Sequence, residues 1–182
     1  MSYRTWILVA AGLFATGMLL GLAVPDDTGD FFAGDLSALE ELARFLKPFQ
    51  LSTAAFIFLK NTSALVFSFI LSPLLCLVPI IALMVNGGLI SFVSVTILEQ
   101  ESVGLLLAGL LPHGIFELPA LIIGEAAALS FGAMAIIALI SKKRRGQLSP
   151  NLKQNIKYMA LAFALLLPAA IIETYITPLF LR

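Results

Sequence analysis

From residue 61 to residue 98 the chain carries no Asp, Glu, Lys or Arg. The solvent that suits so long an apolar stretch is the hydrocarbon of a bilayer, where every peptide group must be bonded within the protein. Drawn as a single helix the stretch would be about 57 Å long at 1.5 Å per residue, nearly twice the ~30 Å of a bilayer core. It must therefore turn back, and Pro73 and Pro79 are the residues able to break it. We read two spans within residues 51–98, with the turn between Ser72 and Pro79. Nothing in that turn is charged, so it is expected to stop short of the far surface.

The same pattern recurs along the chain. Residues 5–24 form a first apolar block preceded by Arg4; it exceeds the usual 7–15 apolar residues of a secretory signal, about which a cleavage reading would turn, and is taken as a retained span. Residues 102–140 again exceed one straight crossing. Pro112-His113-Gly114 interrupts them and Pro119 follows, which fits either one long kinked helix or a re-entrant half-helix followed by a fourth span. Residues 158–180 supply the fifth. Only 12% of the residues are charged, about half the usual share in a soluble domain. The expected fold is therefore all-α, a polytopic transmembrane helix bundle of about five spans, forming a single membrane domain over residues 1–182. Cys76, the lone cysteine, has no partner for an intramolecular disulfide and reads as a small buried hydrophobe.

Charges are sorted between these blocks. Residues 25–50 are acidic, with Asp26, Asp27, Asp30, Asp35, Glu40 and Glu41 against Arg44 and Lys47. Within them Leu36, Leu39, Leu42, Ala43, Leu46 and Phe49 keep the spacing of an amphipathic helix, lying on the lipid headgroups or on the protein's own helices. Residues 141–157 are basic, carrying Lys142, Lys143, Arg144, Arg145, Lys153 and Lys157. Short loops rich in Lys and Arg stay cytoplasmic, so this loop and the N-terminus are expected inside. The acidic segment, Glu99, Glu101 and the C-terminus then fall outside. With zero formal net charge, the patch at Lys142, Lys143, Arg144 and Arg145 fits anionic lipid rather than nucleic acid. The expected partners are the lipid bilayer and other membrane proteins or further copies of the chain.

Ionisable groups inside spans cost about 2.5–3.5 kcal/mol each at a helix centre and usually face the bundle interior. Four occur here, His113, Glu117, Glu125 and Glu173, with the amides Asn61 and Asn86. His113 and Glu117 are four residues apart and share a helix face. Glu117 lies about 20 Å along a helix from Ser102, and Glu173 about 24 Å from Lys157. These depths allow one polar cluster of Asn61, Asn86, His113, Glu117 and Glu173. Such a cluster can fix packing through interhelical hydrogen bonds, or it can line a proton or ion pathway. Catalysis has less to stand on. A single histidine excludes a His-Glu-x-x-His zinc site and a two-histidine catalytic zinc, and no Gly-x-Ser-x-Gly elbow or phosphate-binding glycine loop is present. A non-enzymatic chain with no metal and no cofactor is the expectation.

The decapeptide Leu111-Pro112-His113-Gly114-Ile115-Phe116-Glu117-Leu118-Pro119-Ala120 resembles the signature of the stage II sporulation protein M family of integral membrane proteins. Asn86-Gly87, Asn61 and the stretch Ala169-Ala170-Ile171-Ile172-Glu173, followed by Thr177-Pro178, agree with that pattern from about Lys60 onward. The chain departs from it at Leu129-Ser130-Phe131, where the family often carries an arginine, and at Glu125. The resemblance implies a scaffold or anchor subunit of a membrane complex. In endospore formers the namesake works with two partner membrane proteins in peptidoglycan remodelling during engulfment, and the cleaving activities belong to the partners. The competing expectation is a transport or channel component using the His/Glu cluster.

Overall fold

The computed structural model describes residues 2–23 and 48–180, apart from the side chains of Gln100 and His113. The amphipathic stripe expected from Leu36 to Leu46 lies outside the described residues. Among them the chain forms α1 (Tyr3–Leu22), α2 (Leu51–Leu71), α3 (Leu77–Gln100), α4 (Val103–Ile140), a short 3-10 helix (Lys142–Gln147), α5 (Leu148–Tyr175) and α6 (Thr177–Phe180). Among the described residues five helical stretches are long and apolar enough to cross a membrane: Tyr3–Leu22, Leu51–Leu71, Leu77–Glu99, Gly114–Ile140 and Lys142–Phe180.

The α2–α3 turn falls at Ser72 to Cys76, and its backbone is unusual. Leu75 and Cys76 both hold positive φ, 55° and 56°, a conformation that costs a non-glycine residue about 1–2 kcal/mol. Cys76 N–H donates to the Ser72 carbonyl at 2.9 Å and the Ser72 hydroxyl to that of Phe69 at 2.8 Å, so the reversal satisfies its own polar groups. The Ser72 carbonyl packs on Gly132 of α4, where a Cβ would lie 2.4 Å away. Gly132 is eight residues before the end of α4, about 12 Å, so the turn is inset from that end of the bundle.

Residues 103–140 are one α-helix, with Pro112 and Pro119 inside it. The re-entrant alternative is therefore set aside, and the backbone stays helical through Pro112, His113 and Gly114. Each proline removes one helix hydrogen bond, a loss that membrane helices tolerate where neighbours re-satisfy the freed groups. At the helix start the Ser102 hydroxyl accepts from Leu105 N–H at 3.3 Å, the N-cap role of serine. The basic stretch 141–157 also differs from a loop. Its first part is the 3-10 helix, and α5 begins at Leu148, so Lys153 and Lys157 stand on a helix.

α4 is the hub. Half of its span is buried, against 17% to 33% in the other spans, and Ala120, Ala126, Ala127 and Ala128 are fully enclosed. Small side chains there let α1, α2, α3 and α5 all approach it. α1 lies along α3 through a second small-residue seam. A Cβ on Gly17 would meet the Met84 carbonyl at 2.2 Å, and one on Gly21 the Gly88 carbonyl at 2.4 Å, one turn further along both helices. Tyr3 closes the packing: its hydroxyl donates to the Ile123 carbonyl at 2.7 Å, and its ring stacks on Tyr158 at 3.3 Å between centroids. The consecutive helices α2 and α3, by contrast, make the slightest contact of any touching pair.

Candidate functional site

The gap between α2 and α3 is where the intramembrane polar residues collect. A cavity of about 220 Å³ opens there, with α4 as its floor. α2 contributes Asn61, Ala64, Leu65 and Ser68, at the i, i+3, i+4, i+7 spacing of one helix face. Val78, Ala82 and Asn86 of α3, and Glu117, Leu121 and Glu125 of α4, follow at four-residue intervals. Three helical stripes thus converge on one space. Ala64, Phe67 and Asn86 are exposed at its mouth, so the cavity opens sideways from the bundle.

Two bonds bridge α2 and α4 within it. Asn61 donates through Nδ2 to Glu117 Oε1 at 3.0 Å, and the Ser68 hydroxyl donates to Glu125 Oε2 at 2.5 Å. Glu125 is 1% exposed, the most enclosed ionisable side chain described, while Asn86 donates to its own helix at the Ala82 carbonyl, 2.8 Å. A smaller cavity of about 140 Å³ adjoins the first, sharing Asn86, Glu117 and Leu121 and reaching Gly114 and Ile90. Glu117 and Asn86 stand between the two.

Of the residues grouped from the sequence, Asn61, Asn86 and Glu117 come together. Glu173 does not line this cavity; it is half-buried on α5, seven residues, about 10 Å along the helix, from Leu166, the α5 residue that does. His113 is helical, and its side chain lies outside the described atoms. Pro112 and Pro119 belong to α4 itself. Lys142, Lys143, Arg144 and Arg145 form the exposed 3-10 helix, held to α4 by Arg145 Nε donating to the Ala138 carbonyl at 3.2 Å.

Two members escape a count of depth. Glu125 sits two helical turns below Glu117, and Ser68 two turns from Asn61; the four-residue stripe is the signal that links each pair. A further polar contact joins α4 to α5 away from the cavity. Buried Asn155 donates to Ser130 Oγ at 3.3 Å and to Asn151 Oδ1 at 2.9 Å, and Asn151 also reaches Ser130 at 3.3 Å. Ser130 stands where the family pattern often carries arginine, and here two amides meet it instead. Among the described residues no three His, Cys, Asp or Glu side chains group as metal ligands do.

Fold and site together define a polytopic α-helical membrane protein with a polar cavity opening between two of its spans. The chain belongs to the Stage II sporulation protein M family, which it matches over residues 9–178. The match takes in α1, well before the motifs that begin near Lys60. The chain is also similar to an uncharacterized protein of Methanocaldococcus jannaschii, 35% identical over 92 residues, which is 50% of this chain and 50% of that protein. It thus spans about half the length of that relative. No solved structure matches it.

Proposed function

We propose that this chain is a non-enzymatic scaffold, an anchor subunit holding other membrane proteins in a complex. One observation supports the reading above others: polar side chains inside the bundle are engaged with each other across helices. Asn61 meets Glu117 and Ser68 meets Glu125 between α2 and α4, and Ser130 meets Asn151 and Asn155 between α4 and α5. Interhelical hydrogen bonds of this kind average about 0.6 kcal/mol, so they specify geometry more than they add stability. A fixed frame with broad apolar outer faces suits docking of other spans. In a spore-forming cell the partners would be the peptidoglycan-remodelling proteins of engulfment. The same reading places the N-terminus and the basic 3-10 helix in the cytoplasm and the C-terminus outside, by the positive-inside rule; reporter fusions at both termini test that orientation.

Native purification in mild detergent, followed by mass spectrometry of what remains bound, tests the scaffold role. Stoichiometric recovery of another membrane or cell-wall protein is expected. Recovery of the chain with none of these would overturn it. The two adjoining cavities, with Glu117 between them, favour a second reading as a transport component. Proton flux into liposomes carrying the wild type, lost with Glu117→Gln, would select that reading.

A further inference from the structure

Donors and acceptors in the cavity between α2 and α3 do not balance. Each amide and hydroxyl that lines it already donates within the protein: Asn61 Nδ2 to Glu117, Asn86 Nδ2 to the Ala82 carbonyl, and Ser68 Oγ to Glu125 Oε2. Among the described residues nothing donates to Asn61 Oδ1, Asn86 Oδ1 or Glu125 Oε1. Glu125 is 1% exposed, and a carboxyl oxygen so enclosed is costly to leave without a donor. No described lysine or arginine lines this cavity or the smaller one beside it. A molecule that fits brings its own N–H groups, and a cation suits the carboxyl groups, because bonds with a charged partner are the stronger ones.

The open acceptors form two stations. Asn61 and Asn86 make one, beside Glu117, which is half-buried and already engaged with Asn61 and so supplies charge there rather than an open oxygen. Glu125 makes the other, with Ser68. Ser68 is seven residues from Asn61 and Glu125 eight from Glu117, which sets the stations about 10–12 Å apart. The wall between them is apolar, with Ala64, Ala82 and Leu121. A volume of about 220 Å³ admits a slender chain and excludes a helix, which is about 10–12 Å across. Depth supplies the way in. Counted from Ile140, beside the basic 3-10 helix, Glu125 is about 22 Å along α4 and Glu117 about 35 Å, against a hydrocarbon core of ~30 Å. The Asn61/Asn86 station thus lies toward the far surface, and Glu125 deep in the core.

We propose that this cavity binds an elongated aliphatic diamine, one ammonium at Asn61, Asn86 and Glu117 and the other at Glu125, its hydrocarbon along Ala64, Ala82 and Leu121. Eight carbons between two nitrogens reach about 11 Å when extended, by the same advance per bond as an extended backbone. Four carbons reach about half of that and meet one station only. The site does not depend on the scaffold reading, since a subunit that anchors others can hold a ligand as well.

Calorimetric titration of the full-length protein in nanodiscs tests this, with the eight-carbon α,ω-diamine, its four-carbon analogue and octylamine as probes. The eight-carbon diamine is expected to bind about tenfold tighter than either of the others. No binding, or equal affinity for all three, would overturn the proposal. Glu125→Gln keeps an oxygen for the Ser68 hydroxyl but turns an amide N–H toward the ligand, and should weaken the eight-carbon diamine about tenfold. Ala82→Leu leaves every polar group in place and fills the stretch between the stations, so the preference for the longer diamine should vanish. Unchanged affinity in the first variant, or an unchanged preference in the second, would overturn the site; the second decides if the first does not fold.

Discussion

Ser68 on α2 donates its hydroxyl to Glu125 on α4 across 2.5 Å, at a point where Glu125 is 1% exposed. The bond ties a peripheral helix to the hub at the closed end of the cavity. A double-mutant cycle with Ser68→Ala and Glu125→Gln should give a coupling of about 0.6 to 1.7 kcal/mol, the range of interhelical bonds in membrane proteins. Reversible unfolding in mixed micelles measures it. A coupling of zero would mean that the helices are set by packing alone.

Glu117 and Asn61 allow function to be separated from shape. Glu117→Gln keeps the side-chain oxygen that accepts from Asn61 and should leave both thermal stability and partner recovery unchanged. Glu117→Leu leaves the Asn61 amide without that acceptor and should cost about 1–3 kcal/mol. Thermal unfolding of the purified variants distinguishes them, and equal losses would place the role of Glu117 in its charge.

The glycine seam gives the sharpest steric contrast. At Gly17 a Cβ would lie 2.2 Å from the Met84 carbonyl, while at Gly12, on the same helix, nothing stands within 4 Å. Gly17→Leu should therefore destabilise the fold by about 1–3 kcal/mol as α1 is pushed from α3. Gly12→Ala should be neutral or slightly stabilising, since alanine is the better helix former. Differential scanning fluorimetry on the two variants checks the difference in sign.

Asn155 is 1% exposed and shares Ser130 with Asn151. Asn155→Leu removes the Nδ2 amide that donates to Ser130 and Asn151 and leaves Ser130 with Asn151 alone, so a loss of about 1–3 kcal/mol is expected. Ser130→Ala should cost less, because Asn155 keeps its bonds to Asn151. The order of the two melting temperatures is the readout.

How much of this was legible beforehand depends on the kind of information each feature needs. The span count, the turn near Pro73 and the polar residues Asn61, Asn86 and Glu117 follow from hydropathy and from the cost of polar groups in lipid, both local properties. The seam of Gly17 and Gly21 against α3 was written in the chain as small residues four apart, yet nothing local says which helix they face. Glu125 was visible as a costly carboxylate, but depth alone gave it no partner. Pro112-His113-Gly114 carries breaker residues, and still the helix runs on, because neighbours in a bundle can compensate for a lost bond.

The sequence by itself determined that this chain lives in a bilayer, that it crosses about five times, and which family it resembles. Those conclusions rest on transfer free energies and on motif identity, which each residue carries wherever it sits. Only the tertiary structure decided that α4 is the hub, that Ser68 and Glu125 belong to the cavity, and that Gly17 and Gly21 of α1 face α3. These depend on the rotation of each helix about its axis. Rotation is set by how small and large side chains interlock between helices far apart in sequence.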